Sequence, residues 1–404
     1  MDLNYYTVSK PKKYLAVGFL AGVIFMLLCI WGVHTYQRHV YWEGGMSPNR
    51  KLREITAIVN RYAILPFDRA EMIENMYRGF VAGMGDPYTQ YLDHNAVQAL
   101  RQRTDGTFVG IGVRVIMDPN DRMLTLVNVF RDSPAGQAGL LAGDKIMTVD
   151  GIDVIGRPQA EIVNMITGEA GTSVNIEIFR PYENRIFKVD IVRALVVVPT
   201  VFYEMIETEY GFTGYIRIEG FERPTAQQFG LAVEYLTASG MQSLIVDVRN
   251  NPGGLLESVV QITNMLVPEG VITYLEDSRG NREYRHANET YLGIPLALLI
   301  NGRSASASEV LGGAVQDTGV GILIGEQSFG KGIVQNLHRL SDGTEIKLTI
   351  AQYFTPGGRF IHDTGLTPDI QIEMSAALSS RIGDLPLEED VQLQAALRVL
   401  QVDR

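Results

Sequence analysis

The sequence predicts a mixed α/β protein in four consecutive parts, and three observations carry that prediction. An uncharged apolar run lies near the N-terminus, residues 104–193 are rich in strand-like runs, and beyond residue 196 such runs alternate with helical patterns. Alternation of that kind gives a largely parallel sheet flanked by helices. The 404 residues have room for several domains, with boundaries expected at 1–45, 46–102, 103–195 and 196–404. A formal net charge of −11 leaves no basic surface for phosphates and excludes nucleic acid as a partner.

The apolar run, residues 14–33 (YLAVGFLAGVIFMLLCIWGV), is about 20 residues long, enough to cross a bilayer as a transmembrane helix. Helices on a globular surface keep a polar face, and this run has none. It exceeds the apolar region of a cleaved signal, and Trp31-Gly32-Val33-His34 offers no small-x-small cut site, so an uncleaved anchor is expected. Lys10, Lys12 and Lys13 precede it, whereas Arg38 alone follows closely. That balance predicts a single pass through the plasma (inner) membrane, with the bulk of the chain extracytoplasmic. The only cysteine, Cys29, falls inside the run, so the remainder has no disulfide, thiol nucleophile or thiolate metal site.

Residues 49–100 have helical spacing, with Leu52, Ile55, Ile58 and Val59, then Met72, Ile73, Met76, Tyr77, Phe80 and Val81. Asp68 and Glu71 form a capping-box pattern for the second helix, and Gly83-Met84-Gly85-Asp86-Pro87 ends it. In residues 104–193, strands are expected at 108–116, 124–129, 145–149, 174–179 and 187–192, with short helices at 135–140 and 159–167. This order, together with SPAGQAGL at 133–140, GDKI at 143–146 and VDG at 149–151, resembles a PDZ domain. The resemblance implies capture of an extended C-terminal tail, which adds a strand to the sheet edge. Its carboxylate would sit in the loop 108–113, making Gly110, Ile111, Gly112 and Val113 the candidate peptide-binding residues.

Beyond residue 196, strands are expected at 213–218, 243–248, 296–300 and 321–324, and helices at 225–239, 255–267 and 306–316. Late strands at 345–353 and 360–362 and an amphipathic helix at 391–400 complete the chain. Residues 247–254 (DVRNNPGG) end a strand and begin a helix, where Gly253 and Gly254 can present N–H groups to an oxyanion. The plain alternative is a tight turn, with Asn250 and Asn251 as turn and cap residues. Ser304, Ser306 and Ser308 sit at a strand-to-helix turn, where each is equally readable as an N-cap. If residues 329–335 are extended, Phe329, Lys331, Ile333 and Gln335 share one face. Apolar neighbours would then desolvate Lys331 and make its amine a usable base.

The run SASASE at 304–309, the lysine of FGKG at 329–332, Gln335 and the upstream DVRNNPGG together resemble the C-terminal processing (tail-specific) peptidases. The likeness spans residues 49–404 and includes GDPY at 85–88, GLTPD at 365–369 and DVQLQ at 390–394. It implies a crotonase/Clp-protease-like core in which Ser306 is the nucleophile, Lys331 the general base and Gln335 the residue that orients the lysine. The oxyanion would be held by the N–H groups of Gly253 and Ala307. The resemblance implies no cofactor and no metal; the substrates would be proteins with accessible C-terminal tails, and assembly as a homo-oligomer is compatible with it. Many members carry an arginine where this chain has Thr167, which puts any coupling of peptide binding to activation in doubt. The alternatives are a catalytically inert PDZ adaptor and a non-peptidase acyl-transfer enzyme on a crotonase-like core. No G-x-S-x-G or H-E-x-x-H motif is present, and His286 is expected in a surface loop within the polar stretch 277–290.

Overall fold

The structure, a computed structural model, describes residues 19–33, 48–209, 211–288 and 291–402. The chain divides into two compact units, residues 1–73 and residues 74–404. In the first, residues 19–33 are helical with their apolar side chains exposed. Among the described residues no helix is long and apolar enough to cross a membrane. Residues 14–18, with Lys10, Lys12, Lys13 and Arg38, lie outside the described residues. Helix Pro48–Tyr62 follows, and Asp68 Oδ1 accepts the N–H groups of Ala70 (2.7 Å) and Glu71 (3.3 Å), starting helix Arg69–Ala82 as its spacing predicts.

In the second unit the PDZ-like segment is an antiparallel sheet in the order Val113–Met117, Leu124–Val129, Lys145–Val149, Ser173–Arg180, Arg185–Val192. Period-two alternation builds its core: Val174, Ile176 and Ile178 are fully buried on one face of their strand. Arg180, paired with the buried Asp144 through two hydrogen bonds (2.7 and 2.8 Å), fixes the turn that carries the GDKI motif. The strand expected at 108–116 is two strands. Thr107–Gly110 leaves to pair with Ala194–Val197, and Val113–Met117 joins the main sheet as its edge strand. Ile111 and Gly112 make the corner, held by Ala135 N–H on the Ile111 carbonyl (2.8 Å) and Phe130 N–H on the Gly112 carbonyl (3.0 Å). The presumed loop at 108–113 is therefore only a short corner between strands. Thr167 ends the helix Gln159–Ile166, whose last carbonyls, Ile166 (2.8 Å) and Met165 (2.9 Å), accept from the buried Arg193.

The central sheet runs Val201–Thr208, Gly211–Ile218, Ser243–Asp247, Leu296–Ile300, Gly321–Gly325, Ile370–Gln371. Its first pair is antiparallel and the rest are parallel, as the strand–helix alternation predicts. Ser243–Asp247 and Leu296–Ile300 are buried at every residue because both faces are covered. Helices Thr225–Ala238, Leu256–Leu266 and Ala307–Thr318 pack on one face, and Val391–Val402 covers the other through Leu393, Ala396, Leu397 and Leu400.

A second, antiparallel sheet combines Gln90–Leu92, Glu345–Phe354, Gly270–Asp277 and Arg282–Ala287, with Ile333–Arg339 also pairing to Glu345–Phe354. His286 belongs to this sheet opposite Val271, not to a surface loop. The strand expected at 360–362 is reduced to a single bridge between Phe354 and Phe360.

Candidate active site

The two loops that matter leave neighbouring parallel strands, at Asp247 and Ile300, and are laced together by their own asparagines. Asn250 N–H donates to Asn301 Oδ1 and Asn301 Nδ2 to Asn250 Oδ1, both at 2.9 Å. The Asn251 carbonyl accepts Ala305 N–H (3.1 Å) and Ser308 Oγ (3.0 Å). Their turn role is real, with Asn250 at φ +60° and Asn251 Oδ1 accepting Gly253 N–H, but neither caps the helix Leu256–Leu266, which has no side-chain cap; instead they hold the glycine turn against the serine loop. Gly253, at φ +100°, lies so close that a Cβ there would meet Ala305 O at 2.7 Å and Ser306 Cβ at 2.9 Å. Only glycine fits that approach.

The three serines have different environments. Ser304 and Ser308 are fully buried and donate to carbonyls, Val248 O at 2.7 Å and Asn251 O at 3.0 Å. Ser306 is half-buried and lines a cleft of about 440 Å³ shared with Gly253, Ala307, Lys331 and Gln335. Its backbone is strained, at φ +55° and ψ −112°, immediately before the helix Ala307–Thr318. The backbone N–H of Ala307 therefore belongs to an open helix N-terminus facing the glycine turn, 3.0 Å from where a Gly253 Cβ would stand. Gly253 N–H donates to Asn251 Oδ1 (2.9 Å) in this conformation.

Glu309, which the sequence reading passed over, joins the serine loop to the lysine loop. Its buried carboxylate accepts Ser306 N–H (2.8 Å), Lys331 N–H (2.8 Å), Gly330 N–H (2.6 Å) and Ser328 Oγ–H (2.6 Å). Ser328 Oγ in turn accepts Leu366 N–H (2.7 Å), which gives the GLTPD motif a structural role. Asp369 of the same motif accepts from Gln316 (2.7 Å) and from Leu323 N–H (2.8 Å). The signal for Glu309 was present in the sequence as an acid three residues after an N-terminal serine, the capping-box spacing.

Lys331 does not sit on the alternating strand face expected for it. The strand begins at Ile333, a bulge follows at Val334/Gln335, and Phe329 is 54% exposed. Its ammonium nitrogen lies 4.8 Å from the centre of the Tyr88 ring and makes no hydrogen bond to Ser306 or Gln335. Burial pushes the amine below the ordinary lysine range and Lys347 adds to that push, while Asp86 and Glu309 oppose it. Gln335 makes two long hydrogen bonds, to Ile333 O and Thr349 Oγ1, each at 3.4 Å. Gly110, Ile111, Gly112 and Val113 lie at the corner described above and do not line this cleft.

Elsewhere behind the glycine turn, the side chains of the DVR and DVQLQ motifs meet. Arg249, with a fully buried side chain, donates to Asp247 (2.6 Å), to both oxygens of Asp390 (2.9 and 2.8 Å) and to Gln392 (3.0 Å). Asp390 Oδ1 also accepts Leu393 N–H (3.0 Å) at the start of the last helix.

Comparison with known proteins bears on both halves of the second unit. The family described as peptidase family S41 matches residues 212–372, and the PDZ domain family matches residues 127–180. The carboxy-terminal processing protease CtpB of Bacillus subtilis is 32% identical over 345 residues, covering 85% of this chain and 71% of that protein. A carboxyl-terminal-processing protease of Synechocystis is 32% identical over 342 residues, covering 84% and 79%. The crystal structure of an S41 protease candidate from Bacteroides fragilis superposes with a TM-score of 0.53 over 81% of this chain and 90% of that one. At 17% identity that likeness speaks to the fold alone.

Proposed function

The chain belongs to peptidase family S41, the carboxy-terminal processing serine proteases, and from that premise we propose a membrane-anchored, extracytoplasmic endopeptidase working through Ser306 and Lys331. The observation that carries this reading is the shared cleft. Ser306, Lys331, Gln335, Gly253 and Ala307 line it together, and Glu309 ties the serine loop to the lysine loop. Ser306 is also the one serine of its triplet that reaches the cleft.

In the reaction, neutral Lys331 Nζ takes the Ser306 Oγ proton as Oγ bonds to the peptide carbonyl carbon. The N–H groups of Ala307 and Gly253 hold the oxyanion, which requires Gly253 N–H to turn from Asn251. The protonated lysine passes its proton to the departing amine as the C–N bond breaks. Water then attacks the acyl-enzyme, losing a proton to Lys331, and the Ser306–acyl bond breaks as Oγ recovers that proton. Gln335 orients the amine by its side chain. The open edge strand Val113–Met117 supports capture of substrate tails, their carboxylates at residues 110–113. The uncharged run 14–33 behind three lysines supports the anchor.

Ser306→Ala is expected to keep tail-peptide binding and lose cleavage of an unstructured substrate; undiminished cleavage would remove Ser306 from the mechanism. Lys331→Ala is expected to be equally inactive at neutral pH. Because the base must be neutral and its pKa is lowered, kcat/KM of the parent is expected to rise with pH and level off before the ordinary lysine range. A profile flat from acid to alkaline pH would exclude a lysine base. Amidating a substrate's C-terminus tests the PDZ contact, with weaker capture expected. Membrane fractionation of the full chain tests the anchor.

A further inference from the structure

We propose that Tyr88 is a positioning residue for Lys331: its ring holds the protonated ammonium out of hydrogen-bond contact with Ser306, and loss of the proton releases the amine to the serine. The proposal rests on the reading of Lys331 as the general base.

The ring is delivered to the lysine by a segment built for fixed placement. Asp86 accepts Tyr88 N–H (2.9 Å) and Thr89 Oγ–H (2.5 Å), and Thr89 Oγ accepts Thr349 N–H (3.1 Å). Two residues on, Gln90 pairs with Lys347, so the loop is registered on the strand Glu345–Phe354 that also contacts Gln335 through Thr349. His362 packs its ring against that of Tyr88, with centroids 6.3 Å apart. Lys331 Nζ then lies over the ring at 4.8 Å.

An aromatic face attracts an ammonium and not an amine. The contact therefore favours the proton on Lys331 and opposes the burial that drives it off. Charged and titratable groups face this pair from every neighbouring element: Lys347 from the adjoining strand, Asp86 from the loop, Glu309 from the helix, and His362 and Asp363 beside the ring. Lys347 repels the ammonium while Asp86 and Glu309 attract it, and Tyr88 adds an attraction from a ring that carries no charge of its own.

The test is the pH dependence of kcat/KM for the full chain with a fluorogenic unstructured peptide, for the parent and three variants. Tyr88→Phe keeps the ring and is expected to leave the midpoint unchanged. Tyr88→Leu keeps apolar bulk and loses the ring, and is expected to move the midpoint to lower pH by about half a unit to one unit. Tyr88→Trp, with a stronger ring, is expected to move it upward. A Tyr88→Leu profile that superimposes on the parent's or moves upward overturns the proposal while leaving Lys331 as base. An active Lys331→Ala variant overturns the base itself. If Tyr88→Leu fails to fold, the remaining measurement is NMR of reductively ¹³C-methylated Ser306→Ala protein, with the Lys331 signal assigned by its loss in Ser306→Ala/Lys331→Ala. An upfield ring shift present at low pH and lost as the amine deprotonates supports the latch, and its absence at low pH overturns it.

Discussion

Asp390 and Glu309 are both almost fully buried acids, at 3% and 1% exposure, and both act just beyond the C-terminal ends of the central strands. Asp390 faces a charge: with Asp247 it neutralises Arg249, and the triad fastens the last helix beneath the sheet. Glu309 meets only neutral donors in its hydrogen bonds, the N–H groups of two loops and the hydroxyl of Ser328. The contrast is instructive because it divides labour. A charge paired with a charge punishes any loosening of the body, since a lone buried guanidinium is intolerable. A carboxylate fed by backbone N–H groups sets where two loops stand relative to each other, and here those loops carry Ser306 and Lys331.

Removing each acid should therefore damage a different property. Asp390→Ala leaves Arg249 with Asp247 as its one counter-charge and strips it of two charge-assisted hydrogen bonds, and is expected to destabilise the second unit by about 3–5 kcal/mol. A urea titration should show the lost midpoint, with near-parental kcat in whatever fraction stays folded. A variant with parental stability and lost kcat would erase the distinction drawn above.

Glu309→Gln keeps shape but turns one amide NH₂ toward N–H or O–H donors, since Oε1 serves Ser328 and Gly330 while Oε2 serves Ser306 and Lys331. Stability should fall by about 1–3 kcal/mol, the penalty of a buried mismatch. Displacing the serine and lysine loops should lower kcat/KM about 10²-fold, the scale of a misplacement near 1 Å. A thermal melt run beside single-turnover kinetics separates the two, and a loss confined to stability would make Glu309 a second Asp390.

The architecture was legible in the sequence where burial is two-sided or strictly alternating, as in Leu296–Ile300 and Ser173–Arg180. It was not legible in Arg282–Ala287, an exposed polar strand whose pairing with Gly270–Asp277 supplies all its structure. The lysine segment misled for a related reason. Period-two logic assumes an extended chain, but Glu309 draws in the N–H groups of Gly330 and Lys331, with Gly330 at φ +86°, and the strand starts only afterwards. Phe329 consequently points to solvent, and the surroundings of Lys331 are assembled from distant residues, Tyr88 with its ring beneath the ammonium and Lys347 with its charge. The serines show the same limit. SASAS offers three equivalent hydroxyls in sequence, and what separates them is contact with Val248 and Asn251, more than fifty residues upstream.

Two tyrosine hydroxyls probe the contrast most gently. Tyr215 Oη donates to Asp247 (2.7 Å) in the charged triad, and Tyr353 Oη donates to the Ser306 carbonyl (3.0 Å) beside the cleft. Replacing either with phenylalanine removes one oxygen and leaves the ring packed. Tyr215→Phe loses a hydrogen bond to a charged acceptor, so about 1.5–3 kcal/mol of stability should go while kcat/KM holds. Tyr353→Phe loses a neutral bond, about 0.5–1.5 kcal/mol, but from the strained residue whose backbone aims the candidate nucleophile. A several-fold drop in kcat with a small change in melting temperature is the expected pattern there. If both variants lose stability alone, Ser306 is held by its helix and by Glu309 without help from Tyr353; if both lose kcat, the Arg249 triad reaches the cleft and the two acids share one task.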